Sequence, residues 1–254
     1  MCRKAQFISL MNSYSYLGNW FEYLNKDCDY ASWSQYLIKK LAKFNAGPSG
    51  VDIGCGNGYF TRALYKAGYD VRGIDISPQM LNVAKRRAAD EGVPCEFLLG
   101  DITKLKLTGK VHFAVAINDC INHVPPSKLK SAFAKVYSCL NRGGLFHFDI
   151  SSEYKIRHIL ADNMFGEDGE DISYMWFNTP EEDGVTMELT FFVRGSDGRY
   201  DRYEETHRQY AHSEEAVISA LKEAGFARVF TEGHLGSDDR SQRINFTALK
   251  GPVS

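Results

Sequence analysis

Residues 51–60, VDIGCGNGYF, follow a short apolar run and carry glycines at 54, 56 and 58. Glycines at alternate positions let the chain turn tightly between a buried strand and a helix, and let a ligand approach the main chain. The helix that follows aims its free N–H groups and positive dipole end at that ligand. The spacing is not the G-x-G-x-x-G of a dinucleotide site, because Tyr59 stands where the third glycine would be.

On both sides of this loop the apolar pattern keeps one rhythm. Residues 9–24 and 29–44 carry apolar and aromatic residues at helical spacing, closed off by Gly47-Pro48. Strands are expected at Gly50–Gly54, Asp70–Asp75, Cys95–Leu99, Val111–Ile117 and Leu145–Ile150. Between them the spacing predicts helices over Asn57–Ala67, from Pro78 to about Asp90 behind a Ser77 cap, and over Lys128–Leu140. Strand–helix alternation at this spacing implies right-handed crossovers and a mostly parallel sheet. After about residue 165 the period becomes two: Val185, Met187, Leu189, Phe191 and Val193 alternate with polar residues, and Asp183-Gly184 and Ser196-Asp197-Gly198 read as hairpin turns. An antiparallel β insert is therefore expected within residues 165–211, and a helix over Ser213–Ala224. Two closing strands follow, at Phe226–Glu232 and Arg243–Lys250. The reading is α/β: a Rossmann-like, mostly parallel seven-stranded sheet over 48–164 and 212–254, an N-terminal helical cap over 1–47, and the insert before the penultimate helix.

Three acids accompany the glycine loop. Asp52, at the strand end, is placed to face an ammonium group or to orient the loop. Asp75 ends the second strand, where an acid accepts hydrogen bonds from ribose hydroxyls. Gly100-Asp101-Ile102 closes the third strand, beside an adenine amino group and ring face. With these companions DIGCGNG resembles the class I S-adenosylmethionine-dependent methyltransferases, over about residues 48–150 and 213–250. DYASWSQYLIKKL, INDCINHVPP and LFHFDISSEYKI are similar to glycine N-methyltransferase and to the desosamine-type sugar amine N-methyltransferases.

The resemblance implies S-adenosylmethionine as cofactor, with S-adenosylhomocysteine as product. It would be held by Asp52, Gly54, Cys55, Gly56 and Gly58, by Asp75, Ile76 and Met80, and by Asp101, Ile102 and Ile117. Tyr23, Tyr30 and Trp33 would cover its methionine end, where aromatic faces suit a cationic sulfonium. Asn118 and His123 would border the transfer site as the catalytic pair, with Glu205 and His207 as further candidates to take a proton from an amine. No certain match exists for the arginine with which the glycine enzyme grips a substrate carboxylate. Relatives of this kind often pair through the insert, so a homodimer there is a further expectation.

Bulk properties narrow the partners. A net charge of −2 argues against a chain built to hold phosphate backbones, and 44% hydrophobic residues supply a core. After the fourth strand the chain reads Asn118-Asp119-Cys120-Ile121, not the [D/N]-P-P-[Y/F] of base amino-group methylators. Six cysteines without a C-x-x-C pair suggest a reducing cytosol and no metal site. The N-terminus lacks a signal-type apolar region, and no run approaches about 18 apolar residues, so a cytoplasmic protein without a membrane partner is expected. The reading is an enzyme that methylates a small molecule, at an amine. A nucleic-acid or protein methyltransferase of the same fold and a non-catalytic cofactor-binding protein are the alternatives.

Overall fold

The structure is a computed structural model that describes residues 28–251; the helix expected over 9–24, and Tyr23 within it, lie outside the described residues. The first described element is α1 (Tyr30–Lys43), whose Asp29 carboxylate caps the N–H of Ser32 at 2.9 Å. Then come β1 (Ser49–Ile53), α2 (Tyr59–Lys66), β2 (Asp70–Asp75), α3 (Pro78–Asp90), β3 (Phe97–Leu99), β4 (Val111–Ala116), α4 (Pro126–Cys139) and β5 (Leu140–Ser151). A π-helical turn at Lys155–Leu160 leads into the insert: β6 (Met164–Asp168), β7 (Ile172–Glu181), β8 (Gly184–Arg194) and β9 (Tyr200–Tyr210). The chain closes with α5 (Glu214–Glu223), β10 (Arg228–Gly233) and β11 (Arg243–Leu249).

The main sheet has seven strands in the order β10-β11-β5-β4-β1-β2-β3, with β11 antiparallel to both neighbours and the other pairings parallel. Its middle strand β4 reads VHFAVA, and residues 113–116 are fully buried, as a strand covered on both faces must be. One face packs on α4 and α5 through Phe133, Phe146, Phe148 and Leu221; the other packs on α1 and α2 through Trp33, Leu37, Phe60 and Leu64. Gly50 allows this close packing, because a Cβ there would meet the Phe113 ring at 2.1 Å. The antiparallel sheet β6–β9 buries Ile172, Val185, Met187, Leu189 and Phe191 against the π-helical turn.

Several boundaries moved for identifiable reasons. β5 begins at Leu140 instead of Leu145, because Asn141–Gly144 form a bulge within the strand and not a loop; Gly143 takes φ 76° and donates to the carbonyl of Lys250 at 2.7 Å. α4 starts at Pro126, whose missing N–H is harmless in a first turn. β6 and the π-helical turn were not expected. MFGED lies at the sheet edge with no fully buried residue, so it carries no apolar alternation to read. Among the described residues no helix is long and apolar enough to cross a membrane.

Candidate active site

The glycine loop sits at the C-terminal ends of β1 and β2. Gly54, Gly56 and Gly58 have φ of 68°, 54° and 76°, a left-handed run that residues with a Cβ resist. A Cβ at Gly54 would meet Cys120 Sγ at 2.4 Å, so the loop also needs the space. The N–H groups of Gly54 and Cys55 both donate to the carbonyl of Ile74, at 2.7 and 3.0 Å, which binds the loop to β2.

Asp75 ties the crevice together. Its Oδ2 accepts from the Gly56 N–H and its Oδ1 from the Ser77 N–H, each at 2.8 Å. Burial raises its pKa, and those N–H groups oppose the rise. Beside it Ile76 is 50% exposed and Leu99, its neighbour across β3, 66% exposed, an apolar ledge open to a flat ring. Met80 is buried beneath Gly56, and Cys55 and Ile117 are buried in the adjacent wall. Asp101 caps the turn Ile102–Lys104 by accepting from the N–H and Oγ1 of Thr103, each at 2.8 Å. Asp52 faces α2 and not the crevice: its Oδ2 accepts from Thr61 Oγ1 at 2.6 Å, and burial lifts its pKa to about 7. Asp52 thereby ties the end of β1 to α2, the two elements that flank the loop. Tyr30 packs 4.8 Å from Tyr59, and Trp33 5.6 Å from Phe60, so α1 brings its aromatics to the start of α2.

A second cluster lies across the ends of β4, β5 and β11. Asn118 and Asp119 both have positive φ, 68° and 63°, a strained turn for residues with side chains. Asp149 of β5 holds that turn by accepting from both N–H groups, at 2.7 and 3.2 Å. Arg243, the first residue of β11, donates to both Asp119 and Asp149 and lies 4.7 Å over the Trp33 ring. Burial pushes the Asp119 pKa up, but Arg243 and Lys155 outweigh it and hold the carboxyl below its usual value. In Asp149 burial prevails and the pKa is raised.

Between this cluster and the insert is a cavity of about 280 Å³. Trp33, Asn118 and Asp119 line it from the core, and Trp176, Met187 and Gln209 from the insert. The insert is fastened above it by side chains of the loop after β4. Asn122 donates to the carbonyls of Ser151 and Tyr210 at 3.1 and 3.0 Å, and the His123 ring Nδ1 lies 2.9 Å from the carbonyl of Arg208. Asn118 is thus on the cavity wall, whereas His123 stands behind it as part of the insert's anchorage. Glu205 and His207, paired at 2.9 Å and buried on β9, are not on that wall either.

Burial and the neighbouring His207 lower the His123 pKa to about 4, and burial with Lys40 lowers that of His147 to about 3. Both folded values lie below the ordinary 6.5, so the unfolded chain binds these protons first. Their contribution is complete above about pH 6.5 and is lost as the pH falls toward 4, at most about 2 kcal/mol per histidine near pH 5. Urea unfolding across this range should show a falling midpoint, and a His123→Gln/His147→Gln variant a flatter profile; equal slopes would refute the assignment.

Arg243, Asp149, Lys155, Trp176 and Gln209 were not foreseen. A faint signal existed for two: Asp149 is the one acid inside LFHFDI, and Arg243 opens the otherwise uncharged strand RINFTAL. Among the described residues no group of His, Cys, Asp and Glu could hold a metal ion.

A crevice of this kind on a seven-stranded sheet with an antiparallel penultimate strand defines a class of nucleoside-cofactor enzymes, and the comparisons agree. Residues 51–144 match the family model described as a methyltransferase domain. A methyltransferase of Geobacillus sp. (strain WCH70) is 33% identical over 250 residues, covering 94% of this chain and all of the relative. The crystal structure of an S-adenosylmethionine-dependent methyltransferase from Clostridium acetobutylicum ATCC 824 superposes with TM-score 0.83 at 28% identity, over 92% of this chain and 97% of that one. The sugar N-methyltransferase KedS8 from Streptoalloteichus sp. ATCC 53650 shares the fold, with TM-score 0.76 at 17% identity over 91% and 92% of the two chains. The chain belongs to the class I S-adenosylmethionine-dependent methyltransferases, and S-adenosylmethionine is its cofactor.

Proposed function

We propose that the enzyme methylates a small molecule at an amine nitrogen, and that the acceptor occupies the cavity between the Asn118–Asp119 turn and the insert. The observation that carries this reading is the roof: a half-open space of about 280 Å³, bounded on the insert side by Trp176, Met187 and Gln209, suits a metabolite and not a duplex or a folded protein. The fold shared with a sugar N-methyltransferase supports nitrogen as the target.

Bound S-adenosylmethionine supplies an already activated methyl group. The chain's own residues then have to align the acceptor and exclude water. The loop Gly54–Gly58 and Asp75 hold the cofactor, with Asp101 and Ile102 at its adenine. Trp33 and Tyr30 cover the methionine end, and the Asn118 side chain positions the acceptor. His123, neutral at ordinary pH, acts through β9 by keeping the roof in place.

The test is transfer of a labelled methyl group from S-adenosylmethionine in a cell extract separated into metabolites and macromolecules. Label should appear in the metabolite fraction, on nitrogen; label in RNA or protein would overturn the reading. With the acceptor identified, Asn118→Ala should lower kcat/KM by about 10- to 100-fold, the equivalent of one or two lost hydrogen bonds, with cofactor affinity unchanged.

A further inference from the structure

An amine acceptor raises a need that Asn118 does not meet. At neutral pH an aliphatic amine arrives as an ammonium, which has no lone pair to attack with, so a proton has to leave. The amide of Asn118 can orient the acceptor but is not a base. Of the seven histidines in the chain only His234 lines the cavity. Two other titratable groups on the wall are poorly suited: Asp119 is bound to Arg243 and held acidic, and burial keeps Cys28 a thiol with its pKa pushed up to about 11.

His234 follows β10, and the hairpin fixes its place. The Gly233 N–H donates to the carbonyl of Ser237 at 2.7 Å, and the Ser237 N–H to the carbonyl of His234 at 3.1 Å. Asn245 Nδ2 of β11 donates to the carbonyl of Gly233 at 2.7 Å, and Leu235 takes φ 53°, turning the chain directly after the histidine. The ring lies 5.0 Å from that of Trp33 at 90° and makes no hydrogen bond among the described residues. The residue is both on the cavity wall and exposed, so a proton taken from a ligand has a way out to water.

The charges around the ring keep it neutral. Burial lowers its pKa, Arg243 of β11 and Lys155 of the π-helical turn lower it further, and Asp119 and Asp29 oppose them. Glu232, two residues earlier, is engaged by Tyr36 and Lys40 of α1. At ordinary pH the imidazole therefore holds the free lone pair that a proton acceptor needs.

We propose that His234 is the general base of the reaction. Its ring nitrogen takes a proton from the acceptor's ammonium; the freed lone pair forms the N–C bond as the donor's S–C bond breaks with its electrons left on sulfur. The imidazolium then passes the proton to water. This rests on the cavity being the acceptor site and on nitrogen being methylated.

The test follows labelled methyl transfer from S-adenosylmethionine into the small-molecule fraction of a cell extract from about pH 5.5 to 9, above the range in which His123 and His147 gain protons. Wild-type transfer should fall as the pH drops below about 6.5 and the ring is protonated. His234→Phe, which keeps a ring against Trp33, should be slower by about 100-fold or more and lose that acidic limb. His234→Ala should be slowed as much and regain at least about tenfold with added imidazole, the more so as the imidazole becomes neutral. Calorimetric binding of S-adenosylhomocysteine should be unchanged in both variants, which separates loss of the base from loss of the fold. Transfer by His234→Phe at the wild-type rate would overturn the proposal, because packing on Trp33 would then account for the residue. So would an acidic limb that persists in His234→Phe, or one that disappears in Lys155→Gln instead, which would make Lys155 the base. The atom that carries the label judges the amine reading separately: label on oxygen or on a macromolecule refutes that reading, while imidazole rescue on the same product keeps His234 as the base.

Discussion

Replacing Arg243 with methionine should destabilise the protein by about 3–5 kcal/mol, because it strands two carboxylates in a buried site. Asp119 and Asp149 share that guanidinium, and Asp149 also holds the two N–H groups of the left-handed turn beneath the cavity. Without Arg243 only Lys155, acting from beyond contact distance, is left to offset the two charges, and both folded pKa values rise above the unfolded value of about 4. The folded state then binds protons more readily than the unfolded chain. The deficit relative to wild type should therefore be largest near neutral pH and shrink as the pH falls toward about 5. Urea unfolding at two pH values measures this directly. A deficit independent of pH would mean that the loss is one of packing over Trp33 and not of charge. Asp119→Asn in the Arg243→Met background should recover part of the stability, a coupling that a packing defect would not show.

Asp75→Asn should weaken S-adenosylhomocysteine binding by about 10- to 100-fold, the scale of one charge-assisted hydrogen bond. Both carboxylate oxygens of Asp75 already accept from backbone N–H groups, of Gly56 on one side and Ser77 on the other. An amide offers one oxygen and one NH₂, so one of those N–H groups would meet a donor and the two sides of the crevice would part. Asp101→Asn should be milder, because a single oxygen, Oδ1, accepts both hydrogen bonds from Thr103 and an asparagine keeps it. Calorimetry, together with the loss of thermal protection by the ligand, separates the two variants. Equal losses at both positions would refute this account of Asp75.

The two halves of the site differed in how far they could be read. The cofactor half is encoded by neighbours in sequence: three glycines within five residues, an acid at each of the next two strand ends, and a serine cap before Pro78. Each imposes its geometry on adjacent residues, through a left-handed φ or a capped turn, so the pattern shows without the fold. The acceptor half is assembled from afar. Arg243 meets Asp119 across 124 residues and Asp149 across 94, and Asn122 reaches the carbonyl of Tyr210 across 88. His123 was singled out for its loop beyond a parallel strand, which is where ligands lie, but a position on a loop does not say which way a ring points. Tertiary packing turned it to the carbonyl of Arg208.

By itself the sequence determined the alternation of strands and helices, the glycine loop with its acids, and the change of period that announces the insert. These follow from backbone periodicity and local sterics, which act over a few residues. Only the tertiary structure decided the register in which β11 lies beside β5, which delivers Arg243 to Asp149, and that β9 packs on the turn after β4, which brings Gln209 and Trp33 to the walls of one cavity. Burial away from water makes those pairings matter, because a charge or a donor acquires its cost and its purpose once the fold has removed its solvent.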